Sequence, residues 1–387
     1  MTREKGLFIL FSLTVFTIPI SPFLSVRLLV ITLAYTFLVK TKVPFLFCAW
    51  DNLIYLLLLA LGLIQSSNIE NGLRLIETSF SFLAFPIIAS NLRIDKKQLN
   101  FLFSLFAIGV CMAAFIVLAN ALMEYPAFKA QSLVFGDRFG EILSCDATYF
   151  GYYVVFAITF GLQSLYFNEF GNKLRLIAIP IILAFLALLS VAGTTVYVSI
   201  LLVFAFFILK FVTESKKSDD KIIVFGLSIF FLGSMFYVSY FDLNSFQGSN
   251  YWERFVLWDA AIKATPNLLI GVGTGDYTSV LNDYYRSHNL SQFSLSNYNA
   301  HSQFIQTLLS NGILGLVALL IMMIRPLVLS IRYQNPLGIL VFFSFFIYGL
   351  TEVFLGRYQG VVFFALMHQS FIAHYHNQSK ELTIKES

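Results

Sequence analysis

The chain alternates between long apolar runs and short polar or turn-rich breaks. A helix needs about 20 apolar residues to cross a bilayer, and most of these runs approach or reach that length. They predict an all-α fold, a polytopic membrane bundle of about twelve transmembrane helices. The predicted crossings are 6–20, 22–39, 50–65, 71–90, 99–122, 145–167, 174–191, 195–213, 222–241, 313–331, 336–355 and 360–375.

The first apolar run is short and is followed by Ser21 and Pro22, which suggests a cleaved signal peptide as an alternative. A signal peptide ends in a cleavage site of small residues. No such site precedes the second run. We therefore count residues 6–20 as the first crossing.

Two connections on the same side of the membrane are much longer than the others. They cover about 123–144 and about 242–312, and the second is the most polar stretch of the chain. Long loops in a compact chain usually carry function. We expect nine crossings in 1–241, a loop with short helices and the active-site residues in 242–312, and three crossings with a cytoplasmic tail in 313–387.

The longer loop begins with a helical pattern over residues 251–264. Apolar side chains recur there at helical spacing, Asp259 and Lys263 can pair one turn apart, and Pro266 follows. We predict a helix. One interpretation is that this helix only lies on the bilayer surface.

A glycine-rich stretch from Gly271 to Tyr277 follows that helix. It superficially resembles a nucleotide-binding loop. Such loops follow a strand and carry a third glycine at a fixed spacing, and this stretch does neither. We predict a tight, flexible turn.

A second loop helix is expected to start near Asn299, a preferred N-cap residue, and to stop at Asn311 and Gly312. His301 would then lie in the first turn, where the helix dipole disfavours the imidazolium ion. A neutral imidazole there can accept a proton. A lone histidine is more often structural than catalytic, so both interpretations stay open.

The composition excludes two classes of protein. Hydrophobic residues make up 58% of the 387 residues and charged residues 12%, about half the charged share of a soluble domain. An ordinary soluble enzyme is excluded, and so is a disordered chain, which needs low hydrophobicity and high charge. Of the three cysteines only Cys145 lies near the outer face, and no His or Cys pair has metal-ligand spacing. We expect no disulfide, metal or other cofactor.

The distribution of Lys and Arg orients the chain in the membrane. With both termini in the cytoplasm, seventeen of the 25 basic residues are cytoplasmic, seven are outside, and Arg27 lies within the membrane. Cytoplasmic loops of membrane proteins carry such an excess. This predicts cytoplasmic termini and places both long loops outside.

Arginines in the two long loops are the candidate ligands for a phosphate-bearing substrate, because a guanidinium binds phosphate with two parallel hydrogen bonds. Arg138 lies in the first loop, and Arg254 lies in the second. A simple ion pair is the alternative for each, since Asp137 and Glu141 flank Arg138, and Glu253 and Asp259 are near Arg254.

Other ionisable residues are weaker candidates. His288 has no predicted helix to hold it, and the histidines near the C-terminus, including His368, are expected at the cytoplasmic membrane surface. Arg74 and Glu77 could pair with each other at i,i+3. Glu352 lies near the outer end of a crossing without an obvious partner. Ionisable groups within a membrane are functional candidates.

The order of several short motifs resembles that of the O-antigen ligase and O-antigen polymerase superfamily. The first is Arg254–Phe–Val–Leu–Trp258, and Pro266 and Gly271–Val–Gly273 follow it. The last is the run HSQFIQTLLSNGILGL, which begins at His301. The resemblance covers the longer outer loop and its flanking crossings best.

Members of that family are integral membrane glycosyltransferases of bacteria, and the resemblance implies a GT-C-like fold. They pass a glycan from undecaprenyl diphosphate to an acceptor sugar at the outer face of the cytoplasmic membrane, with no required metal. By position, Arg254 matches the arginine that contacts the diphosphate, His301 the proposed base, and Arg138 the arginine of the earlier outer loop. This chain has His301–Ser302 where the family often has His–Asn, and Thr194–Thr195 where it often has Ser–Arg.

These observations predict a metal-independent, inverting glycosyl transfer in the bacterial inner membrane. Arg254 and Arg138, together with Arg286, would neutralise the departing diphosphate. His301 would take the proton of the acceptor hydroxyl. The expected partners are the undecaprenyl-diphosphate-linked glycan, a glycan or lipid A-core acceptor, and the bilayer, with no nucleic acid.

Three alternatives stay open. A polymerase would join O-antigen or capsular repeat units using the same donor. A transporter or flippase belongs to a different class, and twelve crossings are common there. Transporters place charged groups near the membrane midplane, where this sequence predicts little charge apart from Arg27, so an enzyme is favoured. A non-catalytic assembly protein is the remaining alternative.

Overall fold

The structure is a computed structural model that describes residues 2–124, 142–166 and 250–386. These residues form α-helices and one short 3-10 turn at Phe354–Gly356, with no strand among them. The helices are α1 (Arg3–Thr17), α2 (Pro22–Thr36), α3 (Phe45–Ile64), α4 (Ile69–Thr78), α5 (Ser81–Ser90), α6 (Lys96–Glu124), α7 (Ala147–Tyr166), α8 (Asn250–Lys263), α9 (Tyr277–Ser287), α10 (Ser291–Leu295), α11 (Gln303–Arg332), α12 (Pro336–Thr351) and α13 (Tyr358–Glu386).

Four segments of the described chain are long and apolar enough to cross a membrane. They are Phe45–Ile64, Ile69–Ser90, Lys96–Val117 and Gln303–Arg332, and the second combines α4 with α5. Shorter apolar helices are Pro22–Thr36, Ala147–Gly161 and Pro336–Thr351. The prediction of a helical membrane protein is confirmed.

The total of twelve crossings stays a prediction. The runs at 174–191, 195–213 and 222–241 lie outside the described residues. The division of the chain at residues 241 and 312 likewise stays a prediction.

The helices pack around a core of aromatic side chains. Phe106 stacks on Phe363 with ring centroids 5.1 Å apart, and Tyr152 stacks on Tyr348 at 4.4 Å. Phe345 packs edge-on against Phe364 at 4.8 Å. Such aromatic pairs contribute about 0.5–1.5 kcal/mol each beyond the area they bury. This core ties α6 and α7 to α12 and α13 and gives the site a rigid support.

Four helix ends meet at one end of the bundle, which positions the site. Because α11 and α12 form an antiparallel pair joined by a short turn, the C-terminus of α12 returns to the N-terminus of α11. Ser302 Oγ donates to the Gly349 carbonyl (3.2 Å), and the Leu355 N–H donates to Gln303 Oε1 (2.8 Å). The Tyr149 hydroxyl of α7 donates to the Val353 carbonyl (3.1 Å), next to the start of α13.

The helices α8, α9 and α10 have a small hydrophobic core of their own. Leu257, Leu281, Tyr285 and Phe293 are almost fully buried in it, and Leu309 of α11 completes it. The predicted helix over 251–264 is therefore present as α8. It packs against α9 and α11, so it does more than lie on a bilayer surface.

The glycine-rich stretch after α8 differs from the flexible turn that the sequence predicted. The Val272 and Gly273 N–H groups donate to the carbonyls of Leu309 and Ser310, and the Ile313 N–H donates to the Leu268 carbonyl, at 2.8–2.9 Å. The stretch is thus bonded to α11 where that helix kinks. The prediction of flexibility was wrong because short-range sequence gives no sign of these distant partners.

The kink in α11 lies at Gly312, where φ is 64° and ψ is −164°. The predicted helix stop at Asn311 and Gly312 is correct for the local backbone, but the helix resumes at once and continues to Arg332. Asn311 Nδ2 donates to Thr274 Oγ1 (2.9 Å), whose own hydroxyl donates to the Leu59 carbonyl of α3 (2.7 Å). These bonds join the outer ends of α3 and α11.

A cluster of charged residues that the sequence did not predict lies buried inside the bundle. Asp51 of α3 is fully buried and lies 2.8 Å from both Arg325 Nη1 of α11 and His368 Nε2 of α13. His368 is also fully buried, so it lies between the helices and not on a surface of the protein. Arg325 was counted as cytoplasmic, but its side chain is only 11% exposed. The pattern of apolar residues did not reveal that these three polar groups face one another.

Candidate functional site

The candidate site lies where residues of three separate segments meet. Arg254 is on α8, His301 precedes α11, and Thr351 and Glu352 end α12. The Arg254 Nη1 group donates to the Thr351 carbonyl. In the next residue, Glu352 Oε2 lies 3.7 Å from His301 Nδ1. Two residues at the end of α12 thus lie next to both predicted catalytic side chains, and one of them accepts a hydrogen bond from Arg254.

His301 does not lie in the first turn of a helix, as the sequence predicted. Ser302 is the N-cap of α11, and its backbone is extended. His301 comes before the cap with a φ of 44°, in the left-handed region that few non-glycine residues adopt. Because α11 starts at Gln303, the helix dipole does not act on His301 as on a first-turn residue. Strained backbone of this kind is concentrated at functional sites.

Neighbouring hydrogen bonds hold His301 in this conformation. Its N–H donates to Asn299 Oδ1 (2.8 Å), and the Ala300 N–H donates to Gln306 Oε1 (3.1 Å). The Tyr298 ring lies beside the imidazole with centroids 5.3 Å apart. The Asn299 side chain thus accepts a backbone hydrogen bond in the loop before α11, and the N-cap of α11 is Ser302.

The His301 and Glu352 side chains are largely shielded from solvent, with 27% and 18% of their surfaces exposed. His301 Nδ1 is buried and has no hydrogen-bond partner. Glu352 is held from its own side, because its N–H donates to the Tyr348 carbonyl (2.9 Å) and its Oε1 accepts from the Val353 N–H (3.2 Å). Attraction between opposite charges is stronger in such a setting than in open water.

Arg254 is not paired with the acidic residues that its sequence neighbourhood suggested. Asp259 instead accepts a hydrogen bond from Lys263 Nζ (2.7 Å), and this bond raises the pKa of Lys263 above its ordinary value. The guanidinium extends towards the end of α12 and uses one of its five N–H donors on Thr351. This bond ties the guanidinium to the residue that precedes Glu352.

The other predicted phosphate ligands stand apart from this group. Arg286 lies on α9, where its Nε donates to Ser294 Oγ (3.1 Å) and its Nη1 is 3.9 Å from Asp283. None of these contacts reaches Arg254 or His301. Arg138 and Thr194–Thr195 lie outside the described residues. Roles for Arg138 and Arg286 stay predictions.

Two weaker candidates have local partners. His288 stacks on Tyr284 with centroids 3.9 Å apart. Arg74 pairs with Glu70 at 2.6 Å, one turn earlier in the helix, and not with Glu77, one turn later, as the sequence predicted. In the described ranges, no three His, Cys, Asp or Glu side chains are grouped so as to hold a metal ion.

An open cleft of about 570 Å³ lies next to the site, at the start of α13 and α7. Its polar lining includes Thr78, Ser144, Gln359 and the pair of Arg357 with Asp146, which are 3.1 Å apart. The connection between α12 and α13 links this cleft to Glu352. The geometry therefore combines a shielded acid–base pair, a cation and adjoining polar space.

The sequence did not identify Glu352 as a partner of His301, although it marked Glu352 as an ionisable residue at a membrane edge. The signal that was available is its position directly after an apolar run. The Thr351 carbonyl gave no signal at all, because backbone groups look alike in every sequence.

Comparison with known proteins gives two matches. The family model described as O-Antigen ligase matches residues 176–320, which include Arg254, Arg286 and His301 but not Glu352. The chain is also 24% identical over 140 residues to an uncharacterized protein of Haemophilus influenzae. That match covers 33% of this chain, and the chain spans about a third of the length of this curated relative. The family model covers less than half of the 387 residues, and it supports the resemblance to the O-antigen ligase superfamily that the sequence motifs indicated.

Proposed function

We propose that this protein transfers a glycan from undecaprenyl diphosphate to a sugar hydroxyl of an acceptor, at the outer face of the bacterial inner membrane. The observation that carries the proposal is the meeting of Arg254 and His301 at Thr351 and Glu352. The family match supports the class of reaction. The site supports separate roles for His301 as the base and for Arg254 as the cation that stabilises the leaving group.

In the proposed step the acceptor oxygen attacks the anomeric carbon of the donor glycan. Its proton passes to a ring nitrogen of His301, a new glycosidic C–O bond forms, and the bond from that carbon to the phosphate oxygen breaks. The electron pair leaves with the undecaprenyl diphosphate. Direct displacement of this kind inverts the anomeric centre.

Arg254 stabilises the leaving group in this scheme. Negative charge develops on the diphosphate as its bond breaks, and a cation fixed beforehand stabilises it without reorganising solvent. The partly buried position of Arg254 strengthens that effect. A base positioned like His301 typically contributes ~10²–10⁴-fold to the rate.

The proposed site faces the outside, and both chain termini are cytoplasmic. The excess of Lys and Arg on the opposite side supports this orientation. The donor and the acceptor meet at that face, and the bilayer holds the polyprenyl tail. The cleft next to Glu352 gives room for sugar residues of either substrate.

A complementation experiment tests the proposal. Cells that lack the chromosomal gene receive wild-type protein, His301→Ala, Arg254→Ala or Arg254→Lys, and glycan on the final acceptor is measured. The first two variants should lose transfer while accumulating normally in the membrane. Arg254→Lys should be poorly active, because lysine keeps the charge without the two-pronged contact. Arg74→Ala is the matched control, since Arg74 is exposed and bonded to Glu70.

The material that accumulates distinguishes a ligase from a polymerase. A strain without the ligase retains long lipid-linked polymer that never reaches its acceptor. A strain without the polymerase retains single repeat units on the lipid. The proposal predicts long polymer. Full transfer by His301→Ala would exclude this residue as the base.

A further inference from the structure

We infer that Glu352 is a positioning residue that holds His301 in one tautomer, with its proton on Nδ1, so that Nε2 is the atom that accepts the acceptor proton. This inference rests on the proposed function, because it assigns an atom within the same site. It adds a residue that lies beyond the region matched by the family model.

The geometry leaves one role for each ring nitrogen. Of the two, Nδ1 faces the carboxylate at 3.7 Å and is buried without another partner. A neutral imidazole has one N–H donor and one acceptor nitrogen. A carboxylate can only accept, so the Nδ1 atom facing it must be the donor. Nε2 is then the acceptor.

The distance of 3.7 Å is longer than a hydrogen bond. Catalytic hydrogen bonds are often long without substrate and shorten when the substrate binds. A buried N–H with no partner costs about 1–3 kcal/mol. If the distance between His301 Nδ1 and Glu352 Oε2 shortens to a hydrogen bond when substrate binds, the Nδ1–H group gains a partner and this cost disappears.

Glu352 also stabilises the charged product of the step. When Nε2 takes the proton, the imidazole becomes a cation, and the nearby carboxylate offsets that charge. The carboxylate itself is kept in place by the Val353 N–H and by the end of α12. Because Thr351 holds Arg254, one backbone segment fixes the base and the cation relative to each other.

Selective labelling with ¹⁵N-histidine provides the direct test, since the chain has only 5 histidines. The ¹⁵N shifts of a ring report which nitrogen carries the proton, and His301→Gln identifies the His301 signals by their loss. The wild-type protein should show the Nδ1–H tautomer. Glu352→Ala should shift His301 towards the other tautomer, while Glu70→Gln, a change of an exposed carboxylate, should leave it unchanged.

Kinetics provide the second readout. Glu352→Ala and Glu352→Gln should lower kcat by up to ~10²–10⁴-fold, the range that a positioned base contributes. The KM for donor should change little, because the proposed role of Glu352 is to position His301 and not to bind the donor. Glu352→Asp should recover part of the rate. As a control, the amount of each variant in the membrane fraction is compared with that of the wild-type protein.

The outcomes separate this inference from the proposed function. A wild-type Nε2–H tautomer, or a Glu352→Ala protein with wild-type kcat, would overturn the role of Glu352 even if His301→Ala is inactive. Full activity of His301→Ala would instead overturn the proposed base, whatever the tautomer.

Discussion

At the scale of single residues, backbone conformation decides what is tolerated. Gly312 adopts a φ of 64°, and a Cβ added there would overlap the Leu269 carbonyl and the backbone that follows it. Gly271, on the glycine-rich stretch that faces α11, also has a positive φ, and a Cβ added there would overlap the Ser310 backbone. These two glycines let the glycine-rich stretch approach α11 at its kink.

Gly312→Ala should therefore destabilise the protein. The left-handed backbone alone costs ~1–3 kcal/mol for a residue with a side chain, and the overlap adds to it. The measurement is thermal unfolding of purified protein in detergent. Gly356→Ala is the control, because a Cβ there meets only a side-chain atom of Val353, 3.3 Å away. Equal unfolding temperatures for wild type and Gly312→Ala would contradict this account.

Residue type marked Arg254 and His301 as candidates, as it also marked other arginines and histidines of the long outer loops, and the family resemblance then assigned their roles. Their partners could not be predicted in the same way. Glu352 comes from a different crossing, and the Thr351 partner is a backbone carbonyl. Such contacts depend on how α8, α11 and α12 pack.

At the scale of elements, the apolar runs predicted the positions of the helices well, but they did not predict which helices contact one another. The bounds of α3, α11 and α12 lie close to the predicted runs, apart from the outer extension of α11 before Gly312. The polar faces inside the bundle were not predicted, because a few polar residues hardly alter a run of apolar ones. Asp51, Arg325 and His368 form such a junction between three helices.

Asp51→Ala should destabilise the bundle strongly. It leaves the Arg325 guanidinium buried without its carboxylate, and breaking a buried pair in this way costs ~3–5 kcal/mol. The unfolding temperature of the purified protein should fall clearly.

The triple variant Asp51→Leu with Arg325→Met and His368→Leu is the informative control, because His368 Nε2 also bonds to Asp51. Replacing a whole buried cluster of charged groups by apolar groups of similar size is often neutral, so much of the stability should return. If the single variant is as stable as wild type, the cluster does not hold α3, α11 and α13 together.

At the scale of the whole molecule, the proposed function requires that the site lie at the outer face of the membrane. The α11 and α12 pair places the site at one end of the bundle and the turn around Gln334 at the other. The excess of basic residues predicts that the second end is cytoplasmic. The sequence predicted this plan because charge distribution and run length act over the whole chain.

Cysteine labelling in intact spheroplasts checks this orientation. A membrane-impermeant thiol reagent should modify Ser291→Cys, an exposed position on α10, and should leave Gln334→Cys unmodified. The native Cys48 and Cys145 are buried, and all three cysteines are replaced by serine in the background protein. Labelling of Gln334→Cys alone would mean that the site faces the cytoplasm.

The most direct test of the central claim is glycan transfer by the purified protein in lipid vesicles, with an undecaprenyl-diphosphate-linked glycan as donor and its sugar acceptor. Wild-type protein should form a glycosidic bond of inverted configuration, and His301→Ala and Arg254→Ala should each form none above background. Transfer at the wild-type rate by both variants would contradict the claim that the residues meeting at Thr351 and Glu352 carry out the reaction.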